Sequence, residues 1–398
     1  MAPTYSPFDF AIQDDPYPVY AALRADRPVY RNDRDDFWAL SRHADVDAAL
    51  RDARRFSSVN GLRIEPAFWG PDAERFFSFV AMDPPRHTRM RSLVSYAFNQ
   101  RRVLALEPRL REIARELLDP LLAAGSFDMM TDFAGPFPTE VISELVGVPQ
   151  ADRDLIRDLG MQIMYRPEDD DPATDLPPEA LQAIGQLVGY YSELLAARSR
   201  ERRDDLVSAL IDAAEGADRL TPEEIVGTLI LLVGAGIETT MLLLGNAWHA
   251  AAQAPDQRAK AIADGRVEDW IAETLRHDPS TQAIARTTTE DVELHGTTVP
   301  AQSRILLLVG SANRDPAVFP DPDRFDLDRN TSRMLSFGAG PHHCLGLHLG
   351  RLEARIALQE ITSRITDYEI DTQAAQRIRS SNNRGFISLP TRVTPRTG

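Results

Sequence analysis

A mainly α-helical fold with a small β portion is what the sequence predicts, and three observations carry it. Residues 85–203 keep a 3.6-residue apolar period, interrupted once by the acidic, proline-rich stretch 166–178. An apolar run then extends from Thr221 to about Gln253 behind a complete helix-start signal. Beyond Arg276 the pattern changes to short β-type segments with Gly and Pro turns. With no repeat and no low-complexity tract, residues 1–398 read as one domain. Its helical core is placed at 85–276 and 345–361, and its β-containing parts near 29–42, 284–309 and 365–395.

In chain order, Pro16 and Pro18 start a helix through residues 19–24, a strand follows at 37–40, and a second helix covers 44–51. Residues 61–82 form a loop rich in large apolar side chains: Phe68, Trp69, Phe76, Phe77 and Phe79. Loops normally face water, so these rings either pack beneath the loop or line a ligand cavity. The break at 166–178 reads as a solvated connector or as a lid between two helices. The long helix has Thr221 as N-cap, Pro222 as first residue and Glu224 completing a capping box. At ~1.5 Å per residue it is on the order of 45 Å long. Its apolar stretch is broken by Glu238-Thr239-Thr240 and falls short of the roughly 18 residues a membrane span needs. Such a helix is a buried central one, where a carboxylate is costly unless it has a task or a partner. Strands are expected at 284–288, 292–294, 297–299 and 304–309, then an irregular loop at 315–333, a glycine-rich stretch holding the only cysteine, and a helix over 345–361.

Composition excludes several classes. The chain has 44 basic and 60 acidic side chains, a formal charge of −16, whereas a dedicated nucleic-acid binder needs a clustered basic face. The one lysine, Lys260, lies in Arg258-Ala259-Lys260-Ala261, so P-loop NTPases and protein kinases are excluded. Its charged surroundings read as a solvated helix face and speak against Schiff-base chemistry. The single cysteine, Cys344, forbids an intramolecular disulfide. The opening Met1-Ala2-Pro3-Thr4-Tyr5-Ser6-Pro7 lacks the basic patch and apolar stretch of a signal or anchor, so a cytoplasmic protein with no membrane association is expected.

Three segments carry chemistry. Cys344 lies in Phe337-Gly338-Ala339-Gly340-Pro341-His342-His343-Cys344-Leu345-Gly346, with two glycines before it and a helix start after it. Backbone N–H groups and the helix dipole there stabilise a thiolate. Such a thiolate serves as a nucleophile, with His342 or His343 as base, or as an iron ligand; zinc lacks the further soft ligands it needs at fixed spacing. Glu273 and Arg276 are three apart on a helix with Trp270, Ile271 and Leu275, and alone read as a surface pair worth ~0.3 kcal/mol. Ala235-Gly236-Ile237-Glu238-Thr239-Thr240 lies on the long helix. There the small residues permit close backbone approach, and a threonine can bond back to a helix carbonyl. A dinucleotide-binding reading of Gly234-x-Gly236 fails, because no strand precedes it and the sixth position is Thr239.

The cysteine stretch, Phe-Gly-x-Gly-x-His-x-Cys-x-Gly, resembles the haem-binding signature of the cytochrome P450 superfamily. The other two segments resemble further motifs of that family in the expected order, so the likeness extends across most of the chain. It implies the cytochrome P450 fold, with the long central helix over the haem, and a soluble bacterial-type haem-thiolate monooxygenase. The implied cofactor is haem b, with Cys344 as the axial iron ligand and Ala235, Gly236, Phe337, Gly338 and Gly346 beside the ring. His87 and Arg91 of His-x-x-x-Arg, Arg286 and His342 are implied partners of the propionates. Glu238 and Thr239 match the acid-alcohol pair that relays protons, with Glu where many members carry Asp. Glu273, Arg276 and Arg324 of Pro322-Asp323-Arg324-Phe325 match a buried network behind the haem.

By family position the substrate pocket takes Phe68, Trp69, Phe76, Phe77, Phe79, Met161, Met164, Leu231, Leu232, Gln282, Ala283, Ile284, Phe386 and Ile387, whose apolar character favours a small hydrophobic substrate. The resemblance further implies dioxygen as co-substrate, with electrons from NAD(P)H through a separate ferredoxin and reductase, and a monomer is expected. Arg86, Arg89, Arg101, Arg102, Arg351 and Arg355 offer a local basic docking patch. Two alternatives are a peroxide-driven peroxygenase, against which the intact Glu238-Thr239 pair speaks, and a haem-binding sensor or carrier without turnover.

Overall fold

The computed structural model describes residues 4–164, 176–215 and 218–396. The connector or lid expected at 166–178 lies, up to residue 175, outside them. The helices that position the site are α1 (Tyr17–Asp26), α2 (His43–Arg51), α3 (Arg86–Ala97), α4 (Glu107–Ala124), α5 (Pro136–Val146), α6 (Pro178–Arg200), α7 (Pro222–Gln253), α8 (Val267–His277) and α9 (Leu347–Thr362). The strands are β1 (Val29–Asn32), β2 (Phe37–Leu40), β3 (Phe56–Ser57), β4 (Ser126–Asp128), β5 (Ile284–Thr288), β6 (Arg304–Leu307), β7 (Ile365–Ile370) and β8 (Pro390–Pro395). The 61–82 loop is partly helical, with short turns at Pro66–Phe68, Glu74–Phe77 and Ser78–Ala81.

Helix α7 begins as its sequence dictates. Thr221 Oγ1 accepts the Glu224 N–H at 3.2 Å, and the Glu224 carboxylate accepts the Thr221 N–H at 2.8 Å. Helices α5, α6, α8 and α9 pack around it. Its last turns are locked by stacked rings: Trp248 lies 6.2 Å from Trp270 of α8 and 3.6 Å from Tyr368 of β7, centroid to centroid. By length and apolarity α7 could cross a membrane, but 56% of its most apolar window is buried inside the protein. The burial is uneven along it. Residues 240–248 are buried throughout, whereas Ala235 is exposed and Gly234, Gly236, Glu238 and Thr239 are half-buried. Accessibility in the middle of a helix wrapped by others marks an internal space.

The larger sheet runs β1-β2-β6-β5-β3, with β2 and β6 parallel and the other pairs antiparallel. Ile305 of β6 stands opposite Arg286 of β5, and Leu307 opposite Ile284. The period of two puts Ile284 and Arg286 on one face. The strand expected at 304–309 stops at Leu307 because Val309–Ala312 turns into a short helix. A second sheet, β7-β8-β4, closes the C-terminal part.

Candidate functional site

The cysteine turn is shaped by two glycines. Gly338 and Gly340 take φ of +68° and +67°, where an L side chain is strained. A Cβ at Gly340 would also lie 2.7 Å from Arg51 Cα and 2.8 Å from the Leu50 carbonyl, so the turn seats on the end of α2 only as glycine. The Cys344 N–H donates to the Phe337 carbonyl at 2.8 Å, and Gly346 is the N-cap of α9. Burial pushes the Cys344 thiol up, opposed by the N–H groups of Gly346 and Leu347 and by the Arg91 guanidinium. Yet Cys344 remains accessible to solvent. A sulfur both accessible and desolvated faces an internal space.

On α7, the Thr239 hydroxyl donates to the Ala235 carbonyl at 2.7 Å, the back-bond open to a helical threonine. Ser280 Oγ donates to the Thr239 carbonyl at 2.9 Å. Burial pushes the Glu238 carboxyl up; Arg63 and then a hydrogen bond from Asn383 oppose this, and Glu65 adds to it. Thr240 turns the other way: it is 4% exposed and meets Glu353 of α9, whose carboxyl burial pushes up to about 8. The expectation that Gly236 gives the haem room is corrected by the geometry. A Cβ there would lie 3.5 Å from Ile142 Cδ1, so Gly236 is turned toward α5, whereas one at Gly234 would meet nothing within 4 Å.

A cationic wall forms from three distant segments. His87 and Arg91 share a face of α3, Arg286 comes from β5, and His342 from the cysteine turn. The His87 and His342 rings lie 4.0 Å apart, and His342 Nε2 is 3.2 Å from Ser58 Oγ. Both ring nitrogens of His87 and Nδ1 of His342 are buried without a partner. Burial, then Arg91, pulls His87 down to about 4; burial, then Arg286, pulls His342 down to about 2. Arg286 is 2% exposed and donates to the Ala285 carbonyl at 2.8 Å. Burial pushes it down to about 10, countered by Asp83, which Ser57 Oγ and the Ser58 N–H hold at 2.5 and 2.9 Å. Among the described residues no carboxylate forms an ion pair with Arg286 or Arg91. Arg91 is half-buried and donates to the His343 carbonyl. Cations without a counter-charge and buried imidazole nitrogens without a partner are costly, so this wall is fitted to receive an anionic group.

The buried network differs from the expected one. Glu273 and Arg276 are both 0% exposed, with Arg276 Nε and Nη2 donating to the carboxylate at 2.8 and 2.7 Å. The third side chain is Arg329, whose Nε donates to Glu273 Oε1 at 3.1 Å. Arg324 is exposed and contributes only its carbonyl, which accepts from Arg276 at 3.3 Å and from Arg329 at 3.1 Å. The turn at Asp321–Arg324 points Arg324 outward, and five residues later the chain brings Arg329 back.

The expected pocket residues divide. Leu231, Leu232, Ile284, Ile387 and Met161 are half-buried, and Phe79 is buried 6.3 Å from the His87 ring. Phe68, Phe76 and Phe77 pack on one another, at 5.4 and 6.0 Å from Phe68, and with Leu176 and Ala180 at the start of α6. Four expectations are corrected. Trp69 packs on the N-terminal cluster and borders a cleft with Arg31 and Trp38. Gln282 is turned to the Pro279 carbonyl and Tyr17, and Ala283 lies in that N-terminal cluster, because both stand just ahead of β5 against α1. The Phe386 ring lies between His249, at 4.7 Å, and the Arg377 guanidinium, at 4.3 Å, so strand alternation leaves only Ile387 for a pocket. Met164 ends the helix Arg153–Met164, and its side chain lies outside the described residues. Arg63, Glu65, Asn383, Arg329 and Glu353 went unread in the sequence; the signal for the first two was a charged pair inside an aromatic-rich loop.

The sequence model of the family described as Cytochrome P450 matches residues 267–394. The chain is 45% identical over 392 residues, 98% of itself and 97% of the relative, to a putative cytochrome P450 123 of Mycobacterium tuberculosis. It is 38% identical to a vitamin D(3) 25-hydroxylase of Pseudonocardia autotrophica, covering 98% and 96% of the two chains. The structure superposes on that of cytochrome P450 CYP109Q5 from Chondromyces apiculatus with a TM-score of 0.90, at 34% identity and covering 100% of both chains. The chain belongs to the cytochrome P450 family. It is an oxidoreductase of the monooxygenase kind, and its cofactor is haem b, which family members bind through a cysteine thiolate.

Proposed function

We propose that residues 1–398 serve as one catalytic domain that inserts an oxygen atom from dioxygen into a hydrophobic organic substrate, with Cys344 as the iron ligand. The observation that carries this is the wall of two arginines without a carboxylate partner, Arg91 and Arg286, and the unpartnered ring nitrogens of His87 and His342, beside an accessible Cys344 and the accessible middle of α7. Cys344 is the sole cysteine, so only it can supply the thiolate. The guanidinium groups of Arg91 and Arg286 and the imidazole N–H groups would hold the propionates. When bound, the haem supplies dioxygen activation at the thiolate-held iron.

The rest is done by the chain. Leu231, Leu232, Ile284 and Ile387 exclude water and hold the substrate. Glu238 takes protons from solvent and passes them to the Thr239 hydroxyl, which bonds back to Ala235 while waiting. The intact acid-alcohol pair favours reductive turnover over a peroxide-driven one. Electrons from NAD(P)H arrive through a ferredoxin and its reductase, in the cytoplasm. Of the six arginines considered for docking, five are held in ion pairs: Arg86 by Glu74, Arg89 by Asp218 and Glu224, Arg102 by Asp204, Arg351 by Glu268, and Arg355 by Glu107 and Glu268. Among the described residues Arg101 is exposed and forms no ion pair, so it is the least neutralised of the six for steering.

The apolar lining suits a substrate of the steroid, terpenoid, polyketide or fatty-acid kind, and the vitamin D(3) 25-hydroxylase among the relatives favours the sterol-like among these. The test is to screen such compounds for a shift of the ferric haem from low to high spin. NAD(P)H oxidation and product are then measured with a surrogate ferredoxin and reductase. Product formed only with the redox partners supports this reading; product with hydrogen peroxide alone, or none with any spin-shifting compound, overturns it.

A further inference from the structure

Ser58, just past β3, belongs to none of the motifs above. Among the described residues it is the only side chain in hydrogen-bond contact with the His342 ring, its Oγ lying 3.2 Å from Nε2. Its backbone is fixed from both ends. The Ser58 N–H donates to Asp83 Oδ1 at 2.9 Å, and the Ser58 carbonyl accepts the Gly61 N–H at 2.9 Å. The preceding Ser57 donates through Oγ to Asp83 Oδ2 at 2.5 Å and stands opposite Thr287 of β5, one residue from Arg286. Ser58 is 0% exposed, and its hydroxyl meets no other acceptor among the described residues.

A serine hydroxyl has one hydrogen to give, and a neutral imidazole has one N–H and one bare nitrogen. Were Nε2–H the donor to Ser58, the buried hydroxyl hydrogen would have no acceptor, and a bare Nδ1 would turn its lone pair on any anion the wall receives. With the hydroxyl donating to Nε2, only one group is left unmet, and that group is a donor: Nδ1–H, which is buried without a protein partner. A buried polar group left unmet is destabilising, so the second arrangement is the favoured one. His87, its ring 4.0 Å from that of His342, has no such anchor, since both its nitrogens are unpartnered. We propose that Ser58 is a positioning residue of the haem site: its hydroxyl donates to His342 Nε2, which sets the imidazole hydrogen on Nδ1 and holds the ring so that this hydrogen serves a propionate. The proposal rests on the reading of the wall as the propionate site. The ring stays neutral throughout, and only the place of its hydrogen is fixed. Asp83 acts one step further back, holding the backbone of Ser58 and with it the distance from hydroxyl to ring.

The test uses the haem-loaded protein at neutral pH, reduced and carbon-monoxide-bound so that the iron is diamagnetic. Isotope-edited nitrogen NMR reads the two ring nitrogens of His342, with His342→Gln identifying the signals. Wild type should show Nε2 as a bare nitrogen accepting a hydrogen bond and Nδ1 as protonated. Ser58→Ala should move the Nε2 signal toward that of a bare nitrogen without a donor and weaken the hydrogen bond on the propionate, read from its bending band in the resonance Raman spectrum. It should also speed haem transfer to apomyoglobin by about two- to tenfold, the worth of one hydrogen bond. Ser58→Thr, which keeps a hydroxyl, should return both spectra to the wild-type pattern. A merely structural Ser58 would change haem transfer and leave the Nε2 signal in place. A protonated Nε2 in wild type, or spectra of Ser58→Ala equal to those of wild type, overturns the proposal. A propionate band unchanged in His342→Gln would instead sink the reading of the wall at His342, an outcome independent of which nitrogen carries the hydrogen in wild type.

Discussion

Replacing Glu273 by Gln keeps the shape of the buried network and removes its charge. Four donors converge on that carboxylate: two from Arg276 at 2.8 and 2.7 Å, one from Arg329 at 3.1 Å, and the Asp326 N–H at 3.0 Å. Both guanidinium groups are nearly or fully buried, with side-chain exposures of 0% and 9%. Without the carboxylate two cations face each other in the core, a loss of about 3–5 kcal/mol. At ~1.4 kcal/mol per decade that exceeds a hundredfold, against a total stability of about 5–15 kcal/mol. Arg329→Met leaves the Glu273–Arg276 pair intact and forfeits the charged hydrogen bond to Glu273, about 1.5–3 kcal/mol, together with the guanidinium's bonds to the Pro320, Asp321 and Arg324 carbonyls. Arg324→Ala removes an exposed side chain and should stay within ~0.5 kcal/mol of wild type. Urea unfolding followed by circular dichroism, with haem content measured alongside, gives all three. A Glu273→Gln protein within ~0.5 kcal/mol of wild type, or an Arg324→Ala loss equal to that of Arg329→Met, would refute this reasoning.

Thr239→Ala should keep its spin shift and its NAD(P)H consumption while product falls and hydrogen peroxide rises, whereas Thr240→Ala, facing Glu353, should change coupling much less; the reverse order would assign the relay to the wrong hydroxyl. Burial, then Arg377, pulls His249 from 6.5 down to about 4 in the folded protein. The unfolded chain therefore binds the extra proton between those values, and stability falls as pH drops from about 6.5 to about 4, by at most ~1.4 kcal/mol per unit from this residue. His249→Phe, still able to stack on Phe386, should flatten that slope in urea titrations between pH 7 and 5, and an unchanged slope would contradict the assignment.

What the sequence shows and what it hides follow from the range of the interactions. The α7 capping box, the glycines before Cys344 and the His87, Arg91 spacing are local, so each was legible in a window of a few residues. Glu273 and Arg276 lie one helical turn apart and were also legible, but their third partner depends on how a 53-residue-distant turn folds back, and Arg329 rather than Arg324 makes the return. Gly236 was misplaced because small size does not say which way a helical residue faces; Ile142 on α5 decides it. Trp69, Gln282, Ala283 and Phe386 were misread for a related reason. Each is apolar or amide in a segment that borders the site, and alternation along strand and loop turns its side chain to another cluster. The Arg63–Glu65 pair and Asn383, which bear on the Glu238 carboxyl from two other segments of the chain, are joined to it by no spacing rule.

The identity of the iron ligand is tested most directly by the absorption spectrum of the reduced protein under carbon monoxide, wild type against Cys344→Ala. Wild type should show the red-shifted band of a thiolate-ligated haem, and the variant should lose it, because the chain holds no other sulfur able to act as a thiolate. A red-shifted band of full intensity in Cys344→Ala would contradict the assignment of Cys344 as the ligand.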